Sequence, residues 1–244
     1  MLIAFISDVH GNLPALEAAV ADAEKRGVDR IVCPGDLTGY GPFPEEVCRF
    51  MIGRNIPALM GNYDKKVCDV IKKGKSAIKV AKRKKREILL WTVGHISAET
   101  KSYLASLPRQ IELKLADKQK LLCVHGSPNS ADDAIYPSMT AYGLSVKLGD
   151  ARPAVLVCGH THIPFAKHIN GILVVNCGSA GHPIDGDPRP SYAIVQFEAG
   201  KEPHGNIIRF DYDRDRTLSA LKKTSLPKEL RKDFMEGNKR RFTE

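Results

Sequence analysis

The chain opens on an apolar run, Leu2-Ile3-Ala4-Phe5-Ile6-Ser7, that stops at Asp8 and reads as a first buried strand over 2–7. Asn12-Leu13-Pro14 then starts a helix through about Arg26. Leu13, Leu16, Val20 and Ala23 share one face of it, and Gly27 closes it. Val28 to Cys33 is the next strand, Pro42 to Arg54 a second helix, and residues 56–60 a third short strand running into Gly61-Asn62-Tyr63-Asp64. Residues 65–107 are largely helical in spacing, in pieces broken at Gly74, Gly94 and Pro108, and form an insertion or cap. From Gln110 the pattern predicts strands over 110–116, 119–125, 154–158, 163–169, 171–176, 190–197 and 205–211, with one helix over 138–149. The polar, basic stretch from Arg214 predicts one or two surface helices with a frayed end. Short apolar runs alternating with amphipathic stretches are the pattern of an α/β protein, sheets with helices packed on them.

Composition narrows this picture. A chain of 244 residues that is 43% hydrophobic and 27% charged can bury a substantial core and fits one large domain, taken as 1–244. No stretch approaches the roughly 20 apolar residues that span a bilayer. The first apolar run lacks a basic flank, so it reads as a strand and not as a signal peptide. Cys33, Cys48, Cys68, Cys123, Cys158 and Cys177 are far apart and form no CxxC pair. They read as small buried hydrophobes in a reducing cytosol, so the expected location is cytoplasmic. A net charge of +9 and a pI near 9.2 favour acidic partners, whether phosphorylated small molecules, nucleic acid or anionic surfaces.

Five clusters carry the candidate chemistry: Asp8-Val9-His10-Gly11-Asn12, Gly35-Asp36, Gly61-Asn62-Tyr63-Asp64, Val124-His125-Gly126-Ser127-Pro128 and Gly159-His160-Thr161-His162. Each follows an apolar strand-like run, and in α/β sheets ligands bind beyond the carboxyl ends of the strands. If extended geometry persists past the strand, the i, i+2 pairs Asp8/His10 and His160/His162 each present two donors to one place. Imidazole with carboxylate suits Mn, Fe, Zn, Ni or Co better than Ca or Mg. Glycines 11, 35, 61, 126 and 159 are expected to permit tight turns, Asn12 to cap the first helix, and Asp64 to cap or orient the Asn62 loop. His95, His168 and His204 lack such context and read as surface or core histidines.

The order DxH, GD, GN, HG, GHTH, from residue 1 to about 197, resembles the calcineurin-like metallophosphoesterase superfamily. Within it the similarity is closest to the small bacterial and archaeal phosphodiesterases, through Asp8-Val9-His10-Gly11-Asn12-Leu13-Pro14-Ala15-Leu16, Asn176-Cys177-Gly178-Ser179 and Asp185-Gly186-Asp187-Pro188-Arg189. The resemblance implies a four-layer α/β/β/α sandwich and two divalent transition-metal ions, with manganese the first expectation. It implies Asp8, His10 and His162 on one metal, Asn62, His125 and His160 on the second, and Asp36 bridging both. Two cations about 3.5–4 Å apart can trap a water and lower its pKa toward neutrality, giving a hydroxide that attacks phosphorus in line.

The chain departs from the family where many members carry a histidine after Gly-Asn, a group taken to protonate the leaving group. Here it is Tyr63. A phenol with an ordinary pKa of about 10 is a poor general acid at neutral pH but can hydrogen-bond a phosphoryl oxygen. That favours diesters over monoesters with poor leaving groups, and His182 is the candidate replacement donor. The expected catalytic set is therefore Asp36, Asn62, Tyr63 and His182. The expected substrate is a small phosphorylated molecule such as a nucleotide-type diester, with no membrane partner. A phosphomonoesterase or protein phosphatase, a nuclease, and a non-catalytic scaffold of this fold, like the retromer subunit, remain open beside it. Lys72 to Arg86, nine basic residues without an acid, reads first as an amphipathic helix with one solvated face and second as an electrostatic funnel.

Overall fold

The computed structural model describes residues 1–114 and 119–237. The last residues of the strand expected over 110–116, and the frayed end expected beyond 237, lie outside them. Nine strands form two mixed sheets among the described residues. Strands β1 (Leu2–Phe5), β2 (Arg30–Val32), β8 (Ser191–Gln196) and β9 (His204–Arg209) make one, in the order β2-β1-β8-β9. The other, β3-β4-β5-β7-β6, is built from β3 (Gln110–Lys114), β4 (Lys120–Val124), β5 (Val155–Cys158), β6 (Phe165–Ile169) and β7 (Ile172–Asn176). The pairs β1–β2, β4–β5 and β5–β7 are parallel.

Period-two patterning sorts the side chains into layers. Ile3 and Phe5 of β1 meet Leu121, Cys123, Val155, Val157 and Val175 in the core between the sheets. Ala4, with Ile6 just past the strand, faces the opposite way, into the core under the helices. On that side lie α1 (Leu13–Lys25), α2 (Pro44–Gly53), α3 (Asn62–Lys73), α4 (Arg83–Gly94), α5 (Ala98–Ser106), α7 (Arg214–Lys222) and α8 (Leu230–Glu236). A third cluster, with Leu144 and Leu148 of α6 (Ala141–Leu148), covers the outer face of the second sheet. The layers are α/β/β/α, as the resemblance implied. All six cysteines are buried free thiols.

Three expectations are corrected. Residues 56–60 make no strand; Ala58 forms a single parallel bridge with Cys33, since Pro57 has no N–H for a ladder. The run Lys72 to Arg86 is not one helix. Gly74, at φ +61°, ends α3, a 3₁₀ turn covers Gly74–Ile78, and α4 restarts at Arg83. The C-terminal helices are more than surface decoration: Thr217, Leu221, Leu226, Leu230 and Phe234 are buried, and Thr217 Oγ1 donates to Asn12 Oδ1 at 2.9 Å.

Candidate metal centre

The parallel strands β1, β2, β4 and β5 end at one edge, where the loops after them are stitched together by backbone bonds. Asp8 N donates to Gly35 O at 3.0 Å, His10 N to Asp36 O at 2.9 Å, and Gly159 N to His125 O at 2.8 Å. Asp8, His10, Asp36, His125 and His162 are buried there, with Asn62 opening α3 beside them.

The i, i+2 pairs do not arise from persisting strand geometry. Asp8, His10, Asp36, His160 and His162 all have φ between +50° and +65°. This left-handed conformation costs a non-glycine residue about 1–3 kcal/mol, and here it turns each donor toward the same space. Two glycines act through close approach and not through a turn. Gly61, at φ −77°, leaves room that a Cβ would take from Asp36 Oδ1, and a Cβ at Gly159 would strike Asp8 Oδ2 and Ser7 Oγ.

Two sets of donors come within 4.8 Å of one another: Asp8 with His10 and His162, and Asp8 with Asp36 and His125. Asp36 Oδ2 stands between the two halves, 3.6 Å from His10 Nε2 and 3.5 Å from His125 Nε2. Asn62 Oδ1 lies 3.3 Å from His125 Nε2, and the His160 ring centre is 5.3 Å from that of His125. Every residue of the expected ligand set is thus at this edge, and Asp8 reaches both halves.

The chemistry of the donor set fits cations. Three imidazoles have Nδ1 against a backbone carbonyl: His10 on Thr38 O at 3.0 Å, His125 on Pro34 O at 2.9 Å and His162 on His182 O at 2.6 Å. In the neutral ring this fixes the proton on Nδ1 and turns the Nε2 lone pair inward. His10 Nε2 and His162 Nε2 are 3.1 Å apart, a contact two lone pairs do not favour unless a positive charge lies between them. Asp8 Oδ2 accepts from Ser7 Oγ at 2.6 Å and from His160 N at 3.0 Å, whereas the buried Asp8 Oδ1 faces His162 Nε2 at 3.1 Å.

The electrostatics agree. Burial would raise the Asp8 carboxyl, but His162 and His125 hold it well below the usual range. Burial lowers His10 to about 4 against the pull of Asp36, so it is a neutral ligand at pH 7. Burial would also lower His125, but Asp36 and then Asp8 outweigh it and raise the ring to about 9, so these carboxylates favour a positive charge at its Nε2, which a proton or a metal ion in its place can supply.

A collar of second residues fixes this arrangement. Asp64 accepts from Leu37 N at 3.1 Å, Thr38 N at 3.0 Å, Thr38 Oγ1 at 2.8 Å and Gly61 N at 3.2 Å, clamping the Asp36 loop to the start of α3. Burial and the neighbouring Asp36 raise its carboxyl to about 6. Tyr63 N donates to Asp36 Oδ1 at 2.7 Å, so that carboxylate sits on the amino end of α3, where the helix dipole favours it. The Tyr63 hydroxyl donates to that of Tyr40, and His182 stacks on Tyr40 with centroids 4.4 Å apart. Asn176 Nδ2 holds Gly159 O at 2.8 Å and Thr161 Oγ1 at 3.0 Å. Sequence reasoning missed Tyr40, although Gly39-Tyr40-Gly41 after the Asp36 loop is a signal for an unusual backbone. It also missed Asp132, which receives Asn62 Nδ2 at 2.8 Å from a loop with no motif of its own. His95, His168 and His204 are exposed and away from this edge.

Comparison with known proteins gives the same direction. The model of the calcineurin-like phosphoesterase superfamily domain matches residues 1–200. An uncharacterized protein of Methanocaldococcus jannaschii is 31% identical over 244 residues, covering 94% of this chain and 95% of its own. The phosphodiesterase YfcE of Escherichia coli is 26% identical over 199 residues, 80% of this chain and 87% of its own. The crystal structure of a metallophosphoesterase from Sphaerobacter thermophilus superposes with a TM-score of 0.76 at 31% identity, covering 97% of this chain and 99% of that one. Among the described residues no helix is long and apolar enough to cross a membrane. By motif order and by similarity along most of its length, the chain belongs to the calcineurin-like phosphoesterase superfamily and is a phosphoric ester hydrolase.

Proposed function

We propose that this hydrolase is a phosphodiesterase working with two divalent transition-metal ions, manganese first among them, on a small phosphorylated substrate of the nucleotide-diester type. One observation carries the reading: with Nδ1 of each ring against a backbone carbonyl, the Nε2 atoms of His10, His125 and His162 converge with the buried carboxylates of Asp8 and Asp36. Asp8, His10 and His162 would hold one ion, Asn62, His125 and His160 the other, and Asp36 both. When bound, the pair of ions supplies positive charge for phosphoryl oxygens and makes a water acidic enough to react near neutral pH.

The protein groups account for the rest. Burial would raise Asp36, but His125 and then His10 hold it ionised; Tyr63 N–H orients it and Asp132 orients Asn62, so neither needs to reorganise when substrate arrives. The hydroxyl-bonded pair of Tyr63 and Tyr40 offers one O–H to a phosphoryl oxygen and is poorly matched to protonating an alkoxide. His182 lines the cavity over this centre together with His10, Asp36 and Tyr63, its Nε2 4.0 Å from Asp233 Oδ2, and we assign it the proton for the leaving group. Diesters with good leaving groups depend least on such a donor, which supports diester over monoester turnover.

The test is hydrolysis of bis-p-nitrophenyl phosphate and p-nitrophenyl phosphate at neutral pH, after chelator stripping and reloading with Mn. The expected result is metal-dependent turnover with kcat/KM about tenfold or more in favour of the diester, equivalent to about 1.4 kcal/mol in the barrier. A preference for the monoester would contradict the assignment.

A further inference from the structure

A cavity of about 810 Å³ opens over the candidate centre, within the range of sites that hold small molecules. One wall is not made by the donor loops. It comes from the segment entering α4 and its first turns, which contribute Val80, Ala81, Lys82, Lys84, Lys85 and Ile88. Half-buried Lys85 sets its ammonium 5.2 Å from the centre of the Tyr63 ring. Lys66, from α3, sets its own 5.7 Å from the same ring.

Two ammonium groups therefore share one aromatic ring beside the candidate metal site, and burial together with Lys66 lowers the basicity of Lys85. Lys66 is paired with Asp132 at 2.6 Å and Lys84 with Asp233 at 2.7 Å. Among the described residues no carboxylate lies within 4.0 Å of the Lys85 ammonium. Asp132 and Asp36 favour the Lys85 charge from farther away, but burial and Lys66 outweigh them. Lys82 precedes α4, and Arg83, Lys84, Lys85 and Arg86 begin it, without an acid in the first turn or a side-chain cap. This is the helix end whose dipole repels cations. Cations kept together against mutual repulsion and against the dipole are explained by an anion that binds among them.

We propose that Lys85, with Lys66 beside it, binds a second phosphate group of the substrate. The preferred substrate is then a nucleotide-type diester carrying a phosphate beyond the one that is cut. The apolar and aromatic lining of the same cavity, Val80, Ala81, Ile88 and Tyr136, suits the organic body between the two phosphates. The choice of substrate rests on the phosphodiesterase reading above; the binding test does not.

Equilibrium binding of adenosine 3′,5′-bisphosphate and of adenosine 5′-monophosphate to the Mn-loaded protein is measured by calorimetry, for the wild type, Lys85→Ala and Lys85→Arg. A charge-assisted contact to one added phosphate predicts about tenfold tighter binding of the bisphosphate by the wild type. That advantage falls toward unity in Lys85→Ala and is largely kept in Lys85→Arg. Where diesterase turnover is present, the kcat/KM ratio between thymidine 5′-(p-nitrophenyl phosphate) with and without a 3′-phosphate follows the same order. Equal binding of the two nucleotides by the wild type, or an advantage that survives Lys85→Ala, overturns the proposal. So does tighter, steeply salt-dependent binding of oligothymidylate than of the bisphosphate, which would make the occupant a polynucleotide backbone.

Discussion

At the scale of single residues, the centre depends on groups that never touch substrate. Asp64 is the clearest, because its carboxylate satisfies three backbone N–H groups and one hydroxyl, all buried. Asp64→Ala leaves them unpaired, and each unpaired buried donor costs about 1–3 kcal/mol before relaxation. The expected outcome is a loss of about 3–5 kcal/mol in denaturant unfolding, with metal affinity falling in parallel; a change below about 1 kcal/mol would show that the clamp is dispensable. The identities of the donors were legible in the sequence because each follows an apolar run in a fixed order. Their backbone geometry was not. Strand alternation suggested that Asp8/His10 and His160/His162 point together by staying extended, whereas all four residues are left-handed. Nothing local in the sequence announces a positive φ at histidine; it is imposed by bonds between loops, such as His10 N to Asp36 O.

At the scale of elements, periodicity found the helices and nearly all the strands, since burial of one face governs each. It failed where one residue interrupts a pattern. Pro57 denies residues 56–60 a ladder, and Gly74 splits the basic run that charge alone joined into one helix. It was also silent on which elements meet. Glu45, in the first turn of α2, accepts from Ser97 N at 2.8 Å and so ties α2 to the start of α5. Burial would raise its carboxyl, but the Ser97 N–H, Thr100 and Arg49 bring it down to about 2. A folded-state pKa below the unfolded value means stability present above about pH 4.5 and lost as the pH falls toward 2. Glu45→Gln is therefore expected to be less stable than the wild type by about 1 kcal/mol at pH 7. The gap should close as unfolding is measured at successively lower pH between 5 and 2; a gap independent of pH would contradict the assigned charge.

At the scale of the whole molecule, two mixed sheets bring donors from five loops, spread between Asp8 and His162, to one edge. The segment beyond the family match completes the cavity. α8 supplies Asp233, which pairs with Lys84, and Phe234, whose ring meets His182 edge-on at 5.1 Å. Composition gave no sign of this, because a stretch that is basic overall was read as solvated surface, and its inward face consists of a few residues at helical spacing. A net charge of +9 takes on a definite form here, with Lys82, Lys84 and Lys85 lining the cavity. The central claim is that the edge holds two ions through Asp36 and its neighbours. Its most direct test is the metal content of the purified chain after chelator stripping, Mn reloading and gel filtration, compared with Asp36→Ala, with circular dichroism to verify that both are folded. Two Mn per wild-type chain and clear loss of metal from a folded Asp36→Ala are predicted; fewer than two in the wild type, or an undiminished pair in the variant, would contradict the account.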